Sequence, residues 1–208
     1  MNKINYNLKM KNIIKTFEGR KSLLLHSCCA PCSSGVLGRL SEYFDITVLY
    51  YNPNLDSQQE FDRRVEEQRR FIEALDCGIK LLIVDYEAQE YYDVIRGHEG
   101  DPEGGERCSL CFELRLDRTA RLAAEKNFDF FTTTLSISPH KNSQLLNEIG
   151  GRIAQRYGVD YLYSDFKKEE GYKRSIELSK EYNLYRQDYC GCIYSKVQRN
   201  TSKDNSVN

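Results

Sequence analysis

The sequence has no membrane-length apolar run, almost no net charge and only three histidines. Its longest apolar stretches, 22–25 and 79–84, fall far short of the roughly 18 to 20 residues that span a bilayer, which excludes a transmembrane helix. Thirty Lys and Arg side chains offset 31 Asp and Glu over 208 residues. The resulting pI of about 6.3 argues against a broadly basic surface that coats nucleic acid. Residues 1–20 are polar and mixed in charge, without the apolar core and small-residue cleavage site of a secretory signal, so a cytoplasmic address is expected. No serine-glycine-glycine phosphate loop follows the first apolar run, which counts against an ATP-using enzyme. Forty per cent apolar and 29% charged residues remain a globular composition for one ordinary domain.

Cysteine is what the chain has in quantity. Eight thiols need explaining in a chain long enough to bury a core without staples, and a reducing compartment disfavours structural disulfides. Cys28, Cys29 and Cys32 form one cluster, Cys108 and Cys111 a second, and Cys190 and Cys192 a third, while Cys77 stands alone. Such grouping points to metal ligands or redox thiols. Buried cysteine as a small hydrophobe explains a single thiol well and three within five positions poorly.

Hydrophobic patterning places these groups. Short apolar or β-branched runs at 22–26, 46–51, 79–84, 128–134 and 159–163 alternate with helical patterns at 33–43, 57–75, 109–126 and 142–157. Weaker helical patterns cover 86–97 and 174–182. Strands separated by helices of that length imply βαβ units, hence a five-stranded, open, parallel, Rossmann-like α/β sheet. The expected division is an N-terminal extension over 1–20, a single α/β catalytic domain over 21–195 and a polar, frayed C-terminal tail over 196–208. Ligands of such sheets sit beyond the carboxyl ends of the strands, where Cys28, Cys29 and Cys32 follow the first strand.

Cys108 and Cys111 have the two-residue spacing that lets two thiolates bind one metal from a loop and a helix's first turn, where the helix dipole lowers a thiol pKa. With Cys28 and Cys29 they supply four thiolates, enough for a structural zinc or an iron–sulfur cluster. Adjacent thiolates crowd one tetrahedral zinc but suit separate iron corners, which favours the cluster. Cys32 could replace one ligand or bind a second metal. Cys190-Gly191-Cys192 would close a small, strained, readily reduced disulfide suited to electron relay, or could serve as a third ligand pair. His26, inside the first strand, reads as a core residue, and His98 lies in the glycine-rich segment 97–106. His140, past the fourth strand, is better placed for a site. The stretches around Lys167 and Lys168, Lys173 and Arg174, and Arg186 interleave cations with aromatics, a mixture that serves phosphate contacts and base stacking or forms an ordinary solvated face.

Six motifs in one order carry a family resemblance: LHSCCAPC (25–32), YYNPN (50–54), EGGERCSLCFELRL (103–116), TTTLSISPHKN (132–142), DFKK (165–168) and YRQDYCGC (185–192). Over about residues 20 to 195 the chain resembles the cobalamin-independent epoxyqueuosine reductases of the QueH family. The resemblance implies an α/β fold like that of the adenine-nucleotide hydrolases, with cysteines replacing the phosphate loop. It also implies an oxidoreductase that reduces epoxyqueuosine to queuosine at the wobble position of tRNAs with GUN anticodons, those for tyrosine, histidine, asparagine and aspartate. Cys28, Cys29, Cys108 and Cys111 match the family's [4Fe-4S] ligands, and Cys190 with Cys192 its redox-active disulfide. An external electron donor is required, an additional mononuclear iron or zinc has a candidate ligand in Cys32, and a monomer is expected. Asp165 and His140 are candidate proton donors by motif position, and Lys167, Lys168, Lys173, Arg174 and Arg186 candidate tRNA contacts. The alternative is an ATP-dependent, thiolation-type tRNA-modifying enzyme on the same fold.

Overall fold

The computed structural model describes residues 4–204. In chain order it runs α1 (Tyr6–Ile14), β1 (Lys21–His26), α2 (Ala30–Leu40), β2 (Phe44–Tyr50), α3 (Gln58–Leu75), β3 (Lys80–Ile83) and α4 (Ala88–Val94). Then come α5 (Glu106–Glu125), β4 (Phe130–Thr133), a 3-10 turn (Thr134–Ile137), α6 (Ser143–Tyr157), β5 (Asp160–Tyr161), α7 (Gly171–Glu181) and α8 (Ile193–Asp204). Among the described residues no helix is long and apolar enough to cross a membrane.

All five strands are parallel, in the order β3-β2-β1-β4-β5. The chain winds outward from β1 through β2 to β3, then returns to the opposite side of β1 with β4. The order therefore reverses between β1 and β4, whose last residues His26 and Thr133 lie side by side. A crevice at the carboxyl end of that reversal is the binding position of doubly wound sheets.

Alternation along β1 builds both faces of the core, because successive side chains of a strand point to opposite sides. Leu23 and Leu25 meet Val36, Leu37 and Leu40 of α2 and Phe71 of α3. Leu24 meets Leu116 and Ala120 of α5 and Leu146, Ile149 and Ile153 of α6. Each such leucine, fully buried, contributes about 1.5–3 kcal/mol. A strand covered on both faces needs no polar positions, which accounts for the unbroken LLL.

Three features depart from the sequence reading. The first twenty residues hold α1, whose Asn5 side chain caps Leu8 N–H at 3.1 Å and whose Met10 is buried in the α2 layer. Phe17 then packs on Phe44 and Phe130 at 5.3 and 5.4 Å, closing the amino end of the sheet. Strand β5 is shorter than the expected 159–163, because side chains take over its ladder: Thr132 Oγ donates to Leu162 O at 2.8 Å and Ser164 N–H to Asn147 Oδ1 at 2.8 Å. The expected fraying after 195 is corrected by α8, which docks through buried Ser195 and the Lys196–Asp56 ion pair. Residues 1–3 and 205–208 lie outside the described residues.

Candidate metal and redox centre

His26 floors the reversal. It is fully buried, and burial first, then the Arg115 charge, lowers its pKa to about 3, so the ring is neutral. Its Nε2 faces the Tyr51 carbonyl at 3.1 Å, which can only accept, so the proton sits there and Nδ1 accepts from Thr133 Oγ at 2.9 Å. This agrees with its reading as a core residue.

Immediately above, Cys28, Cys29 and Cys32 bring their sulfurs within 4.8 Å of one another. The chain folds this way for local reasons. Cys29 is the extended N-cap of α2, its carbonyl accepting from Cys32 and Ser33 N–H at 3.1 Å, and Pro31 fits the first turn, where its missing N–H costs nothing. Gln68 of α3 clamps the turn from the side, accepting from Ser27 Oγ at 2.7 Å and donating to Ser33 Oγ at 3.0 Å. Asn52, from the YYNPN motif, donates to Ser27 O at 2.8 Å. Hydrogen bonds from the Cys29 and Cys32 thiols hold Cys28 well below its ordinary pKa. The bond to Cys28, with burial, pushes Cys29 up to about 12, and the bonds to Cys28 and Cys29 raise Cys32 as well. The trio therefore loses its first proton at Cys28.

Cys108, Cys111, Cys190 and Cys192 line a second, small cavity together with Asn54 and Arg115. Helix α5 starts earlier than its sequence pattern suggests, so Cys108 lies inside its first turn. Arg107 fastens this start, donating to Glu99 O at 2.8 Å and to Asp101 O, while the Asp101 carboxylate accepts Arg107 N–H at 3.1 Å. The expectation that the helix dipole lowers this thiol pKa is not met: burial dominates, raising Cys108 and pushing Cys111 up to about 12. Cys192 is likewise raised by burial, partly countered by hydrogen bonds from Ser195 N–H at 3.4 Å and from Tyr91.

Gly191 holds the remaining pair in place with φ +117°, open only to glycine, and a Cβ there would meet Leu55 at 2.5 Å and Arg64 Nη1 at 3.1 Å. Cys190 N–H donates to Ser195 Oγ at 3.0 Å, and Gly191 O accepts from Asp56 N–H at 2.9 Å. All eight cysteines are free thiols, and Cys77 is exposed rather than in the core.

Cations, Arg115 and Arg64 buried and Lys141 half-buried, connect the two groups. Burial opposes the Arg115 charge, but Cys111, Cys190, Cys28 and Cys108 outweigh it. Lys141 is held protonated in the same way by Cys190, Cys28 and Cys32. Arg64, buried and paired with Glu60 at 2.7 Å, faces Cys29. Arg64 Nη2, Arg115 Nη2 and two nitrogens of Arg107 are buried without a hydrogen-bond partner.

These cations escaped the sequence reading, although Cys108, Cys111 and Arg115, spaced by three and four, share one face of a helix. The remaining candidates lie elsewhere. His140 is exposed on the turn entering α6, with Lys141 beside it turned to the thiols. Asp165 accepts from Lys167 at 2.9 Å and Ser143 at 3.2 Å. Lys173 pairs with Glu170 at 3.2 Å, Arg174 with Glu177 at 3.4 Å, and Lys168 is exposed. Arg186 donates to Tyr172 Oη at 3.3 Å.

Comparison with known proteins places this geometry. A family model described as epoxyqueuosine reductase QueH matches residues 23–198. Curated relatives of that description include one from Streptococcus pyogenes serotype M1, 44% identical over 93% of this chain and 78% of the relative. Another, from Staphylococcus aureus, is 41% identical over 95% and 86%, and one from Thermotoga maritima is 32% identical over 86% and 92%. Among solved structures, the U34-tRNA thiolase NcsA from Methanococcus maripaludis with its [4Fe-4S] cluster superposes with a TM-score of 0.52 at 14% identity. That match covers 95% of this chain and 73% of that one, a likeness of fold alone.

Proposed function

The chain belongs to the epoxyqueuosine reductase QueH family and is an oxidoreductase, and from that premise we propose how its thiols divide the work. Cys28, Cys29, Cys108 and Cys111 hold a [4Fe-4S] cluster, Cys32 is available to a second metal, iron or zinc, and Cys190 with Cys192 store electrons. The substrate is epoxyqueuosine at the wobble position of tRNAs with GUN anticodons. Converting its epoxide to an alkene releases the oxygen as water and consumes two electrons and two protons. Closing the Cys190–Cys192 dithiol to a disulfide releases two electrons and two protons, and an external donor reopens the S–S bond. Bound at the four thiolates, the cluster supplies one-electron transfer.

The observation that carries this reading is the convergence of seven thiols on the carboxyl end of β1 and the start of α5, with buried cations between them. An anionic cluster suits these surroundings, because the unpartnered guanidinium nitrogens of Arg64, Arg107 and Arg115 need acceptors. Asp165, ion-paired with Lys167, and the exposed His140 remain the candidates for moving protons. Lys168 and Arg186 lead the tRNA contacts, since Lys167, Lys173 and Arg174 already face carboxylates.

Nucleoside mass spectrometry on bulk tRNA tests the reading, in a bacterium lacking its own epoxyqueuosine reductase, with and without this gene. Epoxyqueuosine should convert to queuosine. Its persistence alongside brown, folded protein would remove the substrate assignment and return a thiolation-type activity to consideration.

A further inference from the structure

Arg115 is 1% exposed, and its position is fixed by Nε, which donates to Cys111 O at 3.1 Å, and by its packing near the Phe112 ring at 5.8 Å. Its Nη2 has no hydrogen-bond partner. Arg64 is also buried, but Glu60 neutralises it at 2.7 Å, whereas Arg115 has no carboxylate partner among the described residues. A buried, unpaired guanidinium is among the costliest groups a fold can carry, and it persists where an anion completes it. The cavity it lines is walled by Cys108, Cys111 and Cys190, which with Cys28 dominate its electrostatic surroundings.

We propose that Arg115 is the fixed counter-charge of the iron–sulfur cluster, donating its free Nη2–H to a cluster or cysteine sulfur and raising the cluster's reduction potential. This rests on the cysteine assignment of the proposed function. Reduction by one electron, from dithionite in the test below, breaks no bond and makes the cluster one unit more negative. A cation held beside it stabilises the reduced state more than the oxidised one. Net charge and hydrogen bonds to the sulfurs are established determinants of such potentials. Arg115 touches no reacting atom, so its role is positioning and electrostatic rather than catalytic.

The test is anaerobic reconstitution of wild type, Arg115→Lys and Arg115→Gln in the full chain. Iron and sulfide are assayed, and the reduced cluster is followed by EPR during a dithionite titration. Arg115→Gln with a full cluster should be harder to reduce by at least tenfold in the one-electron equilibrium, about 59 mV, and Arg115→Lys should recover most of that shift. An unchanged potential in a fully loaded Arg115→Gln overturns the proposal. If Arg115→Gln takes up no iron, a loaded Arg115→Lys at near wild-type potential supports a requirement for charge, whereas failure of both variants assigns Arg115 to packing and overturns it. A wild-type protein without a cluster signal refutes the proposed function itself, a result distinct from any of these.

Discussion

Cys28, Cys29 and Cys32 come from five consecutive residues at the end of one strand, whereas Cys108, Cys111, Cys190 and Cys192 come from two segments far apart in the chain. The trio's geometry is set by a strand end, a helix N-cap and the Gln68 clamp, all inside the sheet's core. The Cys190 pair reaches its place only through the docking of α8 and the left-handed backbone of Gly191. Their electrostatics differ too, since hydrogen bonds from Cys29 and Cys32 favour a thiolate at Cys28, whereas burial raises the Cys192 thiol. A preformed, thiolate-favouring nest suits permanent metal ligation. A pair held by long-range tertiary contacts suits a dithiol that opens and closes.

The sharpest way to break this comparison is to remove one sulfur from each side. Cys29→Ser should lose the visible absorption and iron content together with all queuosine formation. Cys192→Ser should keep the iron and, with a dithiol reductant, form no more queuosine than there is enzyme. Equal iron loss in both variants would show that the Cys190 pair ligates metal, and sustained multiple turnover by Cys192→Ser would end its role as electron store.

Where these groups sit was legible in the sequence as far as local rules reach. The unbroken apolar run of β1 ending in CCAPC placed the trio at the sheet's carboxyl edge, and the strand–helix alternation yielded all five parallel strands. Helix α1 and the docked α8 were not legible, because Met10 and Ser195 are buried by partners distant in sequence rather than by a strong pattern of their own. The same holds for Arg115 and Lys141. Nothing in their immediate neighbours announces that a charge will be set against thiols from two other segments.

Gly191→Ala probes the long-range half alone. Positive φ and the 2.5 Å approach to Leu55 should destabilise the fold by about 2 kcal/mol in urea unfolding, with dithiol-driven turnover falling further than cluster content. Wild-type stability and turnover in this variant would mean that the loop is free to re-form, contrary to its contacts with Asp56 and Arg64.

The trio's half has a subtler signature, carried by His26 beneath it. Its folded pKa of about 3 lies below the ordinary 6.5, so between those values the unfolded chain binds the extra proton and stability rises with pH. The contribution is complete above 6.5 and is lost progressively as pH falls toward 3. From pH 6 to pH 5 the wild type should lose up to about 1.4 kcal/mol that His26→Gln does not, since glutamine has no proton to gain. Urea unfolding of both proteins at the two pH values isolates that difference, because every other titrating group is common to them. Parallel slopes would mean that His26 is solvated or charged in the native state. The floor of the trio would then be looser than its bonds to Thr133 and Tyr51 imply, and its preorganisation no greater than that of the Cys190 loop.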